Sequence, residues 1–241
     1  MLVKKIKYLV VSLILLVVLY LLGSAYWERV KETRSAKNLE SGVILYDLEG
    51  YKFNVPLKYY YLIYQKTGVW PTPKKERQSV KSFEIDVVLP EMLPYSEQTA
   101  EKFEARGWKD EMWITLSRRN KVMDDFGGWF QKWKHQFSVV GESSEAPGLV
   151  YLIDHQGPVD DEDKNYNHMF LKSVDNFDEY FYISCVRNLK EGGVPFPSCK
   201  LNTKYGELKM ELTFSRKYLR DWTNIMAESA KLLDSFRVST N

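Results

Sequence analysis

The sequence predicts an α+β ectodomain behind an N-terminal transmembrane helix, and three observations support that prediction. Residues 8–27 carry no charged side chain, and short segments with two-residue alternation recur through the rest of the chain. Residues 217–236 repeat apolar side chains at helical spacing. We therefore expect a layered domain of antiparallel sheet covered by helices, closing with a long amphipathic C-terminal helix.

The first 27 residues read as a transmembrane anchor or uncleaved signal. Lys4, Lys5 and Lys7 precede the apolar run, whose twenty residues would span about 30 Å as a helix, enough to cross a bilayer. The seven-residue tail favours a cytoplasmic N-terminus, which places the rest of the chain outside the cytoplasm. Cleavage at Ala25, after two further small residues, is the alternative that the sequence leaves open.

Polar residues 28–41 form a predicted juxtamembrane linker, and residues 42–241 form the predicted domain. Its two halves, 42–140 and 145–238, can be two lobes on one shared sheet. The first half has strand patterns at 43–46, 51–55, 82–89 and 113–116. Residues 59–64, rich in tyrosine, fit either a strand or a short helix.

Two helices are predicted in the first half of the domain. One covers residues 96–106, because Ser96 is a good N-cap residue and Gly107 a good terminator. The other covers residues 124–137, where aromatic side chains fall on one stripe. That stripe packs in the core or forms part of a docking surface; its members are Phe126, Trp129, Phe130, Trp133 and Phe137.

The second half of the domain is rich in strands and ends in the long helix. Strands are expected at 149–153, 170–174, 180–186 and 208–214. In the closing helix, Trp222 and Ile225 lie three residues apart on the apolar stripe, so both should be buried against the sheet.

The two cysteines, Cys185 and Cys199, are expected to form a disulfide. An even number of cysteines in an exported domain favours a bond, and a pair of buried free thiols is the alternative. Their spacing is not that of a zinc site. The bond would stabilise the domain by about 3 kcal/mol in the chain-entropy model.

Charge and motifs exclude several classes of function. The formal net charge is +2, which argues against a nucleic-acid-binding protein. The sequence has no nucleophile elbow, phosphate-binding glycine loop or zinc-protease motif, so we expect no enzyme, no cofactor and no small-molecule substrate. Histidines 135, 155 and 168 are scattered, so no metal site is expected.

Two polar loops are the candidate contact regions for a partner. Residues 154–168 carry Asp154 and the acidic run Asp160, Asp161, Glu162 and Asp163. The run begins like a calcium loop but lacks the glycine and glutamate that such a loop needs, so a solvated or partner-facing loop is expected. Residues 68–78 carry Trp70 among prolines and charges. Trp70 either pins this loop to the core or is displayed to a partner.

The order of motifs resembles that of a known family. The first stretch is Gly50-Tyr-x-Phe-x-Val-Pro56-x-x-Tyr59, and the second is Phe83-x-Ile-x-Val-x-Leu-Pro90-x-x-x-Pro94 followed by Phe103, Gly107 and Trp108. The third is Tyr182-Ile-Ser-Cys185, Cys199, Leu219-x-x-Trp222-x-x-Ile225 and Ser235-Phe236. Together these stretches resemble small envelope proteins of Gram-negative bacteria, encoded beside type VI secretion effectors and regarded as periplasmic immunity proteins.

The resemblance covers most of the ectodomain and involves fold markers, with no catalytic motif. It implies a single-pass inner-membrane protein, anchored through residues 8–27, whose periplasmic domain binds and occludes a cognate secreted antibacterial toxin. The resemblance does not identify the toxin. The alternative is a membrane-anchored envelope assembly or sensing protein without enzymatic activity.

Overall fold

A computed structural model describes residues 39, 41–105, 109–119, 126–154, 167–174, 181–186 and 197–238. The chain divides into two units, Met1–Gly42 and Val43–Asn241. The predicted membrane segment, residues 8–27, lies outside the described residues. Within the described part of the chain, no helix combines the length and apolar character needed to cross a membrane.

Two sheets and four short to medium helices make up the described domain. The strands are β1 (Val43–Leu48), β2 (Tyr51–Pro56), β3 (Gln78–Ser79), β4 (Ser82–Val88), β5 (Glu111–Arg118), β6 (Phe137–Glu142), β7 (Val150–Asp154), β8 (Asn167–Leu171), β9 (Tyr182–Val186), β10 (Ser198–Tyr205) and β11 (Leu208–Ser215). The helices are α1 (Tyr61–Thr67), α2 (Ala100–Glu104), α3 (Phe126–Trp133) and α4 (Trp222–Phe236). Three 3-10 segments flank these helices. Leu57–Tyr59 precedes α1, Lys134–Gln136 follows α3, and Arg216–Asp221 precedes α4.

The large sheet has eight strands in the order β4-β5-β11-β10-β9-β8-β7-β6, and every neighbouring pair is antiparallel. Strands from both halves of the chain therefore lie in one sheet. The small sheet has the order β2-β1-β3, with β1 and β2 antiparallel and β1 and β3 parallel. The α+β class and the antiparallel sheet predicted from the sequence are confirmed.

Two adjacent rows of side chains across the large sheet show how its faces differ. One row, which we call the apolar row, runs Ile85, Ile114, Leu212, Leu201, Ile183, Phe170, Tyr151 and Gly141. The next row, which we call the mixed row, runs Asp86, Trp113, Thr213, Lys200, Ser184, Met169, Leu152 and Val139. Because side chains alternate between faces along each strand, the two rows lie on opposite faces.

The apolar face is covered by α4 and by the small sheet. Trp222 and Ile225 are buried, as predicted, and the Trp222 ring lies 5.1 Å from that of Phe181. From the small sheet, the Phe53 ring lies 5.2 Å from that of Phe83 on β4. After α4 the chain returns to β2, where the Val238 N–H donates to the Lys52 carbonyl at 2.9 Å.

The mixed face carries helices near its two edges. At the β4 edge, Tyr61 of α1 and Phe103 of α2 pack with Val88. Towards the β6 edge, Phe130 of α3 packs with Leu152 and Met169. The mixed-row residues between these helices, on β11, β10 and β9, are polar and at least partly exposed.

Several sequence predictions need correction. The strand expected at 170–174 lies at Asn167–Leu171, and the closing helix expected from residue 217 begins at Trp222, after a 3-10 segment. The helix expected over 124–137 ends early, because Phe137 opens β6 and pairs with β7 instead of extending the helix. Strand β10 was not predicted, since its lysines and asparagine have low strand propensity. The helix expected over 96–106 is formed at Ala100–Glu104, because Thr99 Oγ1 accepts the Ser96 N–H at 2.8 Å and holds the preceding residues in a turn.

The disulfide between Cys185 and Cys199 is formed, as predicted. The two cysteines are directly opposite each other on β9 and β10. Both are buried on the apolar face. The bond therefore joins two neighbouring strands in the middle of the large sheet.

Candidate partner-binding surface

Helix α1 and the loop that follows it are held together by local hydrogen bonds. Gly68 adopts φ 69°, a left-handed conformation that favours glycine, and its N–H donates to the Tyr64 carbonyl at 2.7 Å. The Thr67 hydroxyl donates to the Ile63 carbonyl at 2.7 Å and accepts the Val69 N–H at 3.2 Å. Thr67 thereby links the backbone of Ile63 in the helix to that of Val69 just after it.

Trp70 packs on an aromatic cluster. Its ring stacks on that of Tyr64, with centroids 4.7 Å apart, and lies 5.8 Å from that of Tyr95. Tyr95 in turn stacks on Tyr61 at 4.2 Å, above the buried ring of Phe103. Trp70 is half-buried, so it pins the start of the loop to the core while part of its ring stays at the surface.

Arg77 fixes the other end of the loop. Its guanidinium donates to the Tyr46 carbonyl at 2.8 Å, to the Phe53 carbonyl at 2.9 Å and to the Asn54 side chain at 2.8 Å. Residues 72–76 lie exposed between this anchor and Trp70. The loop is thus held at both ends, and its middle residues, 72–76, are exposed to solvent.

The side chains displayed by this region combine apolar groups with positive charge. Val69 is 65% exposed and Ile63 is 42% exposed, which is high for large aliphatic side chains. Lys66 of the same helix and Lys74 and Lys75 of the following loop are exposed, as is Glu76. We call the set formed by Ile63, Lys66, Val69, Trp70, Lys74 and Lys75 the α1 surface.

Beneath α1 lies a carboxylate that the sequence did not single out. Asp86 is 2% exposed, and its Oδ2 accepts the Leu62 N–H at 2.6 Å at the start of α1. Burial raises the pKa of Asp86 to about 7; the Leu62 N–H opposes this rise, whereas the charges of Glu111 and Glu84 add to it. The signal in the sequence was an acidic side chain between Ile85 and Val87 in the middle of a strand pattern.

Glu111 and Glu84 belong to the same region. Burial raises the pKa of Glu111 as well, although its Oε1 accepts the indole N–H of Trp113 at 2.9 Å. Glu84 accepts the hydroxyl of Thr115 at 3.0 Å. Three carboxylates on two neighbouring strands therefore lie on the face that α1 partly covers.

The second predicted contact region is largely outside the described residues. Asp154 ends β7, but its side chain lies outside the described part. Residues 155–166, with Asp160, Asp161, Glu162 and Asp163, lie outside it entirely.

Among the described residues, no group of histidine, cysteine, aspartate or glutamate side chains is arranged to hold a metal ion. Of the two described histidines, His135 is exposed and His168 lies in a polar cluster. The His168 ring contacts the Tyr151 hydroxyl at 3.2 Å and Arg216 at 2.7 Å, and Arg216 forms a two-bond pair with Glu145 at 2.8 and 3.0 Å. This cluster ties the loop before β7 to the end of β11.

No family model matches the sequence, and no curated protein matches it either. The fold, however, resembles that of solved structures. The iron-regulated outer membrane lipoprotein FrpD of Neisseria meningitidis superposes with a TM-score of 0.52 at 14% identity, covering 82% of this chain and 93% of that chain.

The second solved structure is Smlt3025, an immunity protein of the Stenotrophomonas maltophilia type IV secretion system. It superposes with a TM-score of 0.50 at 11% identity, covering 82% of this chain and 94% of that chain. At such identities the likeness is one of fold. The domain thus has a fold that an immunity protein of a secretion system also adopts, and the system named there is type IV rather than type VI.

Proposed function

We propose that this protein is an immunity protein that binds a secreted antibacterial toxin and occludes its active site. The observation that carries the proposal is the α1 surface, where aliphatic side chains stand exposed on a rigid aromatic base with exposed lysines on the same helix and loop. Protein interfaces combine an apolar centre with a polar rim, and Trp70 is of a residue type enriched at binding hot spots. The fold shared with an immunity protein of a secretion system supports the proposal.

The α1 surface is suited to a partner with acidic groups around an apolar pocket. Val69 and Ile63 would supply the buried contact, and the half-buried Trp70 ring would extend it. Lys74 and Lys75 would speed the encounter through long-range attraction. Because Trp70 and Arg77 already fix the loop, little conformational entropy is lost on binding.

The proposal includes a location and a second contact. Residues 8–27 would anchor the chain in the inner membrane, with the domain in the periplasm, where an oxidising environment maintains the disulfide between Cys185 and Cys199. Asp154 and the acidic run 160–163 would contact a cationic part of the same toxin. The partner would be a type VI effector, as the sequence resemblance implies, and the chain itself would perform no catalysis.

The alternative function is envelope assembly or sensing, in which the domain binds an envelope partner. The similarity to FrpD, an outer membrane lipoprotein, favours this candidate. The two proposals differ in the identity of the partner: a secreted toxin in one, a resident envelope protein in the other.

Binding measurements with the full-length chain in detergent test the proposal. The ligands are the purified secreted proteins encoded beside this gene. We expect one of them to bind in a one-to-one complex, and the double variant K74E/K75E to slow its association at low salt. The control R220E reverses an exposed charge before α4 and should leave association unchanged. Binding by none of these proteins would exclude the immunity function; binding unaffected by K74E/K75E would exclude the α1 surface as the contact.

A further inference from the structure

Helix α1 lies over a buried carboxylate that has no ion-pair partner among the described residues. Asp86 accepts the Leu62 N–H at 2.6 Å, and this bond joins the start of α1 to strand β4. Tyr61 and Leu62 are buried at the same contact. The carboxylate therefore lies at the buried contact between the large sheet and the start of α1.

The groups around Asp86 come from every element that packs there. Glu84 lies two residues before it on β4, and Glu111 and Trp113 lie on the paired strand β5. Lys66 comes from α1, and the buried Tyr60 precedes that helix. Two carboxylates and one lysine thus act on Asp86, so the local balance of charge disfavours its ionised form.

We propose that the first turn of α1 is a proton-controlled contact, held against the sheet by neutral Asp86 and lifted when Asp86 ionises, while Trp70 and Arg77 keep the loop 68–78 in place. A buried carboxylate without a cation is costly, whereas the same group is well solvated once the helix lifts away. The docked state therefore binds a proton that the lifted state gives up. This device belongs to the fold and does not depend on the identity of the toxin.

The direction and size of the effect follow from linkage. The pKa of Asp86 is about 7 in the docked state, and it falls towards its ordinary value when the group is exposed. Between about pH 4 and pH 7 the equilibrium constant for lifting α1 should rise by about ten-fold per pH unit, and it should level off above about pH 7. The first turn of α1 then exists in a docked and a lifted state, and the ratio of the two states depends on pH.

Hydrogen exchange of the full-length chain in detergent tests the proposal. After correction for the intrinsic pH dependence of exchange, protection of residues 62–67 should fall by about ten-fold per unit between pH 5 and pH 7. Protection of α4 serves as the internal reference. D86N should abolish the pH dependence, because its amide oxygen still accepts the Leu62 N–H but carries no charge; the matched variant E84Q should keep it.

Equal protection of residues 62–67 at pH 5 and pH 7, or an unchanged pH dependence in D86N, would overturn the proposal. A carboxyl-carbon NMR titration of the parent chain gives a second test that needs no variant. We expect Asp86 and the Leu62 amide to titrate together near pH 7. A midpoint near pH 4 for Asp86 would also refute the proposal.

Discussion

The apolar row and the mixed row use the same eight strands, yet they form different surfaces. Ile85, Leu212 and Leu201 of the apolar row are all fully buried. In the mixed row, Asp86 is buried beneath α1, while Lys200 is 51% exposed by side chain and pairs with Glu211 at 2.9 Å. The comparison teaches that the apolar face is core at these strands, whereas the mixed face packs apolar clusters near its two edges and leaves polar groups exposed in the middle.

The helices that cover the two faces, α4 on the apolar face and α1 on the mixed face, differ in length and in how much they bury. Helix α4 has fifteen residues and buries a stripe at positions 222, 225, 229, 233 and 236. Helix α1 has seven residues, too few to be stable alone, and depends on its contacts with the sheet. We therefore expect mutations under α4 to unfold the domain and mutations under α1 to change a local equilibrium.

The largest loss of stability should come from replacing Trp222, the first residue of α4. Its ring packs on Phe181, and its indole N–H donates to the Pro147 carbonyl at 3.2 Å. W222A should lower the free energy of unfolding by about 3–5 kcal/mol, because a large buried side chain is removed. Chemical denaturation measures this loss, with T223A, an exposed position on the same helix, as control. A loss below about 1 kcal/mol would show that the apolar face does not hold the domain together.

The second-largest loss of stability should come from removing the disulfide on the apolar face. Cys185 and Cys199 are fourteen residues apart, so their bond restricts a short loop of the unfolded chain. The double variant C185A/C199A should lose about 3 kcal/mol. Parent protein unfolded in reductant should show a similar loss, whereas reductant should not affect the double variant. A parent protein that is equally stable with and without reductant would contradict the prediction.

At Asp86 we expect a smaller change, which raises the free energy of unfolding instead of lowering it. Its pKa is about 7 in the folded chain, above the ordinary value, so this group stabilises the fold less as pH rises from about 4 to about 7. D86N should therefore raise the free energy of unfolding at pH 8 by about 1–2 kcal/mol, since the amide removes a buried charge but makes a weaker hydrogen bond. It should also flatten the pH profile of stability. Destabilisation by D86N at pH 8 would mean that the ionised carboxylate is favourable there.

The smallest effect is expected at Lys200 in the middle of the mixed row. Its ion pair with Glu211 is largely exposed, and such pairs contribute little. K200A should change the free energy of unfolding by less than about 1 kcal/mol. A larger loss would show that the mixed face also stabilises the fold, and the contrast between the two faces would disappear.

The sequence predicted the apolar face better than the mixed face. Trp222, Ile225 and the disulfide were predicted correctly, because helical spacing and cysteine number are patterns of one segment. Strand β10 was missed because its lysines and asparagine have low strand propensity and its buried residues, Cys199, Leu201, Asn202 and Tyr205, do not alternate regularly. The start of β6 at Phe137 was missed because the aromatic spacing continues into the strand.

The candidate site was harder to predict for a physical reason. Trp70 was selected as a residue of interest, but its neighbours Tyr64 and Tyr95 come from separate segments that only the fold brings together. Asp86 was overlooked because an acidic residue in an alternating strand is usually exposed. Its burial depends on where α1 lies, which no local pattern determines.

A competition assay tests the central claim most directly: that the domain neutralises a toxin through the α1 surface. Cells lacking this gene, or carrying it with V69D/K74E, are exposed to siblings that deliver the toxin, and survival is counted. The account predicts that the deletion strain dies, that the parent gene restores survival, and that V69D/K74E fails to restore it despite normal protein levels. Equal survival of the deletion strain and the parent would contradict the immunity function.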